Sequence, residues 1–181
     1  MTPVQSWPSS AKVWWISSTN TVDGKRRTSS TAKAPTDMQT EPHLLAKAVR
    51  IAAVAHEKQV DKAGEAYILH PLRLMARTQT DDERIVALLH DVVEDSDWTL
   101  KALAAEGFPP HIVDAIDCLT SRDGESYDDF ISRVLTNSLA VRVKLLDIED
   151  NMDMTRLGDL TDKDLERLRK YHAARQRLLG V

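Results

Sequence analysis

Four residues with reactive or metal-binding side chains lie close together in the apolar segment 85–95, namely His90, Asp91, Glu94 and Asp95. Neighbours three or four positions apart share one face of a helix, so these side chains could border one cavity. Burying an imidazole and three carboxylates without partners is costly, and a metal ion is the simplest partner for such a set. Alternatively, the end of the helix is exposed, with Glu94 and Asp95 in solvent and His90 a hydrogen-bonded core histidine.

Two further candidate ligands come from flanking segments. His56 lies near the end of a helix that begins at residues 41–42, and Asp147 lies in a helical segment from about residue 139 to 154. Together with His90 and Asp91 they form a mixed histidine and carboxylate set, which suits Mn²⁺, Fe²⁺ or Zn²⁺. Such an ion lowers the pKa of a bound water molecule and polarises a phosphoryl oxygen. This pattern therefore indicates metal-assisted phosphate chemistry.

Each of these residues also has an ordinary structural interpretation. His56 could be a surface histidine at a helix end, and Asp147 could simply pair with Arg142 or Lys144. His70 directly precedes Pro71, and we expect it to fix its loop through hydrogen bonds rather than to bind metal. The residue types alone leave these alternatives open.

The elements that must position these side chains are helices. Apolar residues recur with helical spacing from residue 44 to 55, 72 to 76, 85 to 93, 100 to 103, 112 to 119, 127 to 135, 139 to 154 and 160 to 179. Thr99, Gly107 and Pro110 mark helix boundaries. The central helix is expected to run unbroken to about Asp95. No segment alternates convincingly as a strand would, so the sequence predicts an all-α helical bundle.

Composition and charge narrow the function classes. The chain has 181 residues, is 42% hydrophobic and 29% charged, and carries a formal net charge of −4. Residues 39–181 hold 19 basic and 26 acidic residues, which argues against nucleic acid as the main ligand. Cys118 is the single cysteine, so an internal disulfide or a cysteine-based zinc site is excluded. No apolar run suits a signal peptide or a membrane span, and we expect a cytoplasmic protein without a membrane partner.

The predicted domain occupies residues 39–181. Residues 1–38 are rich in Ser and Thr and show no regular apolar period, despite Trp7, Trp14 and Trp15. We expect this N-terminal extension to be disordered or loosely docked on the domain.

Three motifs resemble those of RelA/SpoT-type hydrolase domains. Residues 55–71 (AHEKQVDKAGEAYILHP) resemble the opening motif of that family. Residues 87–95 (ALLHDVVED) are similar to its HD motif with the following Glu-Asp pair, and residues 143–151 (VKLLDIEDN) to its second aspartate segment. The motifs occur in the order found in the family, and the likeness covers about residues 41–175. The resemblance implies the HD-domain helical bundle, and on this basis we expect a stand-alone small alarmone hydrolase.

The resemblance implies Mn²⁺-dependent hydrolysis of the 3′-pyrophosphate of (p)ppGpp, which releases pyrophosphate and GDP or GTP. In position, His56, His90, Asp91 and Asp147 match the metal ligands of the family. Glu94 and Asp95 match the acidic pair that orients or deprotonates the attacking water, and Asn151 matches a residue that contacts the nucleoside.

Position in the sequence suggests further substrate contacts. Lys47, Arg50, Lys58 and Lys62 could bind phosphates near the entrance, and Tyr67 could stack on the base or pack within its loop. Met154 replaces a polar residue of longer family members, so (p)ppApp is also a candidate substrate. Two alternatives stay open, an HD-type nucleotidase or phosphodiesterase acting on other nucleotides and a non-catalytic alarmone-binding module. A homo-oligomer is a further possibility.

Overall fold

The protein is an all-α bundle, as predicted. The structure, a computed structural model, describes residues 42–157 and 159–180. Within these residues the helices are α1 (Pro42–Ala55), α2 (Leu69–Arg77), α3 (Asp81–Leu89), α4 (Val92–Asp95), α5 (Leu100–Ala105), α6 (Pro110–Leu119), α7 (Tyr127–Val134), α8 (Ser138–Asn151) and α9 (Asp162–Leu179), with a 3₁₀ turn at Met154–Arg156. Between α1 and α2, Val60 and Ala66 form an isolated antiparallel bridge. The predicted extension, residues 1–38, lies outside the described residues.

Helix α3 is the centre of the bundle and packs against α1, α2, α6 and α8. Its residues from Ile85 to Leu89 have no exposed surface. A helix that is apolar on every side is stable only when neighbouring helices cover it completely. The first turn is closed by a capping box, in which the Thr80 side chain accepts from the Glu83 amide and Glu83 accepts from the Thr80 amide.

The prediction of one unbroken helix through Asp95 is wrong. Helix α3 ends at Leu89, and α4 begins at Val92. His90 Nδ1 donates to the Ala87 carbonyl at 2.9 Å. In a continuous helix the amide of Asp91 would donate to this carbonyl. The interruption places His90 and Asp91 in a turn at the buried end of α3.

Two other helices end earlier than predicted. Helix α1 ends at Ala55, so His56 lies just beyond it, although the His56 amide still donates to the Ala52 carbonyl at 3.0 Å. Helix α8 ends at Asn151 rather than near Met154. Over the described part of the chain, no helix combines the length and the apolar character needed to cross a membrane.

Candidate metal centre

Three helical segments bring His70, His90 and Asp147 together. His70 comes from the start of α2, His90 from the turn after α3, and Asp147 from α8. All three are buried, and one ligand atom of each lies within 4.8 Å of the others. Asp147 Oδ1 is 3.2 Å from His70 Nε2 and 3.8 Å from His90 Nε2. Two imidazole nitrogens and a carboxylate oxygen in this arrangement could hold a divalent cation.

Asp91 borders the same space. Its Oδ2 atom lies 3.0 Å from His90 Nε2 and 3.8 Å from His70 Nε2. The same oxygen accepts the hydroxyl of Tyr67 at 2.5 Å. Asp91 is therefore close enough to serve as a fourth ligand, with Tyr67 fixing its orientation.

The hydrogen bonds of the two histidines fit a metal site. His90 Nδ1 donates to a carbonyl oxygen, which can only accept, so in the neutral ring the Nε2 atom carries the lone pair. This Nε2 atom is buried and has no hydrogen-bond partner among the described residues. His70 Nδ1 lies 2.7 Å from Asp150 Oδ2, and its Nε2 lies 3.2 Å from Asp147 Oδ1, so a carboxylate flanks each of its ring nitrogens. Metal-binding histidines in proteins are usually oriented in this way by a partner on the other ring nitrogen.

The carboxylates of the cluster favour positive charge beside them. Burial alone would lower the pKa of His90, but the charges of Asp91 and Asp147 raise it to about 10. Burial would raise the pKa of Asp91, whereas the imidazolium of His90 lowers it to about 2. Asp147 Oδ2 accepts from Lys144 Nζ at 2.7 Å, which leaves Oδ1 facing the histidines. The carboxylates thus stay ionised and hold positive charge, which protons or a bound metal ion can supply.

His56 lies beside this cluster rather than within it. Gln59 Nε2 donates to the Asp95 carbonyl, so Gln59 Oε1 accepts from His56 Nδ1 at 2.7 Å. The ring centroid of His56 is 4.9 Å from that of Tyr67, and the Tyr67 centroid is 5.7 Å from that of His70. His56 Nε2 is buried and makes no hydrogen bond within the described ranges. Assignment of His56 as a ligand stays a prediction, since the three clustered residues include His70 in its place.

The acidic pair follows the cluster by one turn. Glu94 and Asp95 lie on α4 and are exposed. Glu94 Oε1 accepts from the Ser121 amide, and the backbone carbonyl of Asp95 accepts from Gln59. Partial desolvation and the charges of Asp91 and Glu94 raise the pKa of the Asp95 carboxyl. Asp95 thus holds a proton more readily than an ordinary aspartate.

A cavity of about 200 Å³ adjoins the cluster, and His70 is part of its wall. Three predicted substrate contacts line it, Lys62, Tyr67 and Asn151. Asn151 Nδ2 also donates to Asp147 Oδ1 at 2.6 Å, so this residue connects the cavity to the cluster. The cavity and the candidate metal site are therefore parts of one functional site.

The basic residues of the cavity are mostly different from those that the sequence suggested. Arg73, Arg156 and Arg167 line it together with Lys62. Lys47, Arg50 and Lys58 are not among its lining residues, and Lys47 pairs with Glu106 at 3.0 Å. The arginines were missed because they lie outside the matched motifs or beyond α8, where only the folded chain brings them to one wall.

Similar proteins were found among curated sequences. The chain is 34% identical over 136 residues to a guanosine-3′,5′-bis(diphosphate) 3′-pyrophosphohydrolase of Vibrio cholerae, covering 67% of this chain and 19% of the relative. A protein of that name from Haemophilus influenzae is 31% identical over 133 residues, covering 66% and 20%. A probable GTP pyrophosphokinase of Mycobacterium leprae is 31% identical over 121 residues, covering 60% and 15%. The chain spans a fifth or less of the length of these relatives.

Comparison with solved structures supports the helical-bundle fold. A solved structure described as a metazoan ortholog of SpoT that hydrolyzes ppGpp has a TM-score of 0.59 and 21% sequence identity, covering 82% of this chain and 87% of that chain. No family model matches the sequence. The predicted relationship to RelA/SpoT-type hydrolases is confirmed by the curated relatives, and the predicted bundle by this likeness.

Proposed function

We propose that this chain, a relative of the guanosine-3′,5′-bis(diphosphate) 3′-pyrophosphohydrolases, is itself a metal-dependent hydrolase of the 3′-pyrophosphate of (p)ppGpp. The observation that carries the proposal is the cluster of His70, His90 and Asp147 beside a cavity with a basic wall. A cation at the cluster and cationic side chains beside it match the negative charge of a nucleotide polyphosphate.

The proposed metal ligands are His70, His90 and Asp147, with Asp91 as the fourth. This set replaces the predicted His56 by His70, because the Nε2 atom of His70 faces Asp147 Oδ1 at 3.2 Å. Mixed nitrogen and oxygen ligands suit Mn²⁺, which is the ion we propose. A divalent ion held there would lower the pKa of a water ligand and polarise a phosphoryl oxygen of the substrate.

Glu94 and Asp95 are the proposed catalytic residues. In hydrolysis, the oxygen of water bonds to the phosphorus attached to the 3′-oxygen, and the bond from that phosphorus to the 3′-oxygen breaks. One proton leaves the attacking water, and one is needed by the departing 3′-oxygen. Asp95 is suited to accept the proton of the attacking water, because its pKa is raised toward the operating pH. Glu94, held by the Ser121 amide, stands next to it to orient the water.

The cavity supplies the proposed substrate contacts. Arg156 and Arg167 both line the cavity. Together with Lys62 they offer donors for the phosphates of the nucleotide. Asn151 and Tyr67 lie at the side of the cavity nearest Asp147 and Asp91, where the 3′ side of the sugar must reach the metal.

The test is a pyrophosphate-release assay with the purified full chain, Mn²⁺, and either ppGpp or ppApp. We expect release from at least one of them, and the adenine compound is included because Met154 replaces a polar residue of longer relatives. Nucleoside monophosphates and cyclic nucleotides complete the panel. No release from either alarmone with metal bound would refute the proposal, and preference for the other nucleotides would favour a nucleotidase or phosphodiesterase.

A double variant, Glu94→Gln with Asp95→Asn, tests the catalytic assignment in the same assay. We expect it to keep Mn²⁺ binding but to lose turnover by at least about 100-fold, the usual contribution of a positioned proton acceptor. Asp114→Asn, an exposed acid on α6, is the matched control and should keep full activity. Wild-type turnover in the double variant would show that the acids are not catalytic and would leave a binding-module function open.

We also propose a cytoplasmic location and a homo-oligomeric assembly for this chain. Size-exclusion chromatography with light scattering would give the oligomeric state directly.

A further inference from the structure

We propose that Arg133 is a positioning residue for catalysis, because it holds the peptide group whose amide binds Glu94. This role of Arg133 rests on the proposed function, in which Glu94 orients the attacking water. Arg133 lies on α7, and the peptide group belongs to the loop of residues 120–126 between α6 and α7, called here the α6–α7 loop. Neither the loop nor Arg133 belongs to the three motifs that resemble the hydrolase family.

The α6–α7 loop reaches the acidic pair through a backbone amide. The amide of Ser121 donates to Glu94 Oε1, which is 27 positions away in the sequence. Glu94 and Ser121 are both exposed. An exposed glutamate side chain has several rotamers to choose from, and a hydrogen bond to its carboxylate restricts that choice. The direction of the Glu94 carboxylate therefore depends on where the loop places the Ser121 amide.

Arg133 binds the other side of the same peptide group. Its Nη2 atom donates to the Thr120 carbonyl at 2.9 Å, and its Nη1 atom donates to the Asp117 carbonyl at 2.6 Å. The Thr120 carbonyl and the Ser121 amide are the two polar groups of one planar peptide unit. Arg133 and Glu94 thus hold this unit from opposite sides, and together they fix its plane.

The guanidinium of Arg133 is itself fixed by the far end of the loop. Arg133 Nε donates to Glu125 Oε1 at 2.8 Å, and Arg133 Nη2 donates to Glu125 Oε2 at 2.5 Å. Both side chains are largely buried, with 15% of Arg133 and 14% of Glu125 exposed. The Glu125 amide donates to the Arg122 carbonyl at 3.0 Å, and Gly124 has a φ of +77°, which glycine adopts without strain. The loop is therefore a closed turn built around one guanidinium group.

The charge of Arg133 also affects the strength of the contact with Glu94. A cation at a carbonyl oxygen polarises the peptide group and makes its N–H a stronger donor. Loss of the guanidinium would weaken this donor and also free the peptide group to rotate. Glu94 would stay on α4, but its carboxylate would lose the fixed direction that orienting a water molecule requires.

The experiment uses the full chain in the pyrophosphate-release assay, with Mn²⁺ and the alarmone that the wild type hydrolyses. We expect Arg133→Gln to lower kcat by about 10- to 100-fold, the loss caused by a small misplacement at a catalytic site. KM should not change, and neither should Mn²⁺ affinity measured by electron paramagnetic resonance of the free ion. Arg133 is not among the residues of the cavity wall or of the metal cluster.

Arg177→Gln is the matched control for Arg133→Gln. Arg177 also binds α7, through Asp128 Oδ1 at 3.2 Å and Ser132 Oγ at 2.9 Å, but it does not contact the α6–α7 loop. Both variants remove one arginine charge next to the same helix. Arg177→Gln should keep the wild-type kcat.

A second variant removes the amide donor itself. Ser121→Pro has no N–H at this position, and Thr120, with a ψ of 122°, already has the extended conformation that a following proline requires. Ser121→Ala retains the amide and is the reference, and we expect a lower kcat for Ser121→Pro than for Ser121→Ala. The combined variant, Ser121→Pro with Arg133→Gln, should lose no more activity than the more damaging single change. Such non-additive losses show that both residues act through one contact.

Nuclear magnetic resonance of the Ser121 amide provides a readout that does not depend on turnover. Its proton signal should move upfield in Arg133→Gln and in Glu94→Ala, because both changes weaken or remove the hydrogen bond. Circular dichroism checks folding, and Glu125→Gln replaces Arg133→Gln if the latter does not fold, with effects in the same direction.

Wild-type kcat in the folded arginine variant, or losses that multiply in the combined variant, would overturn the role of Arg133. A wild type that hydrolyses neither ppGpp nor ppApp would instead refute the proposed function. In that case the amide signal still tests the contact, and a signal that does not respond to Arg133→Gln would overturn the positioning of Ser121 by Arg133 as well.

Discussion

At the scale of single residues, the sequence predicts His56 as a metal ligand, whereas the structure groups His70 with His90 and Asp147. His56 and His70 both occur in the opening motif, and both are buried. His70 Nε2 faces Asp147, whereas His56 contacts Gln59 and the ring of Tyr67. Position along the chain could not separate them, because the spacing within a loop does not determine where a side chain points.

A pair of variants distinguishes the two histidines. We expect His70→Gln to lose Mn²⁺ affinity by more than the roughly 10- to 100-fold typical of outer-shell changes, because it removes a ligand. His56→Gln should retain Mn²⁺ binding, since His56 is not in the cluster. Isothermal titration calorimetry of both folded variants provides the measurement. If only His56→Gln loses Mn²⁺ binding, the ligand set predicted from the sequence, with His56 as the first histidine, is the correct one.

At the scale of elements, contacts at the start of α3 help to fix the position of this helix, and His90 lies directly after its other end. Glu83 is buried and accepts hydrogen bonds from the amides of Gln79 and Thr80, at 2.9 and 3.4 Å. Arg142 on α8 donates to the other carboxylate oxygen at 2.5 Å. The capping box thus also joins α3 to the helix that carries Asp147.

The charge of Glu83 should make stability depend on pH. Burial would raise the pKa of Glu83, but the bonds from Gln79, Arg142 and Thr80 lower it below its usual value of 4.5. A lowered pKa means that the carboxylate stabilises the fold above pH 4.5 and that this contribution disappears as the pH falls through the lowered value.

Glu83→Gln should therefore reduce the free energy of unfolding by about 1–3 kcal/mol at pH 7. The difference in unfolding free energy from the wild type should shrink as the pH falls below 4.5 and through the lowered pKa, where the wild-type carboxylate becomes protonated as well. Urea denaturation followed by circular dichroism measures both values. Glu166→Gln, at an exposed position on α9, is the control and should show neither effect. A loss of stability that is independent of pH would show that the charge is not involved.

At the scale of the whole molecule, the candidate metal site joins parts of the bundle that are distant in sequence. Its ligands come from α2, from the turn after α3 and from α8, while the apolar core extends from Leu44 to Leu178. An ion bound to all three segments stabilises the native state, because the unfolded chain does not form the site.

Metal removal should consequently lower the melting temperature. At free Mn²⁺ of 100 times the dissociation constant, binding contributes about 2.7 kcal/mol. For a domain of this size, that corresponds to a shift of several degrees. Differential scanning calorimetry before and after chelation measures it, and Asp147→Asn should show a much smaller shift. An unchanged melting temperature after metal removal, verified by elemental analysis, would contradict a site that bridges helices.

The sequence by itself determined the helical class, most helix boundaries and the residue types of the site. These depend on local patterns such as the apolar period, the cap at Thr99, and the short motifs around His90 and Asp147. The interruption between α3 and α4, the grouping of His70 with Asp147 and the contact of the Ser121 amide with Glu94 were decided by the tertiary structure alone. Ser121 and Glu94 are 27 positions apart, and their meeting depends on how the α6–α7 loop lies against α4. Local patterns specify each helix, but the contacts between distant helices specify which side chains share a site.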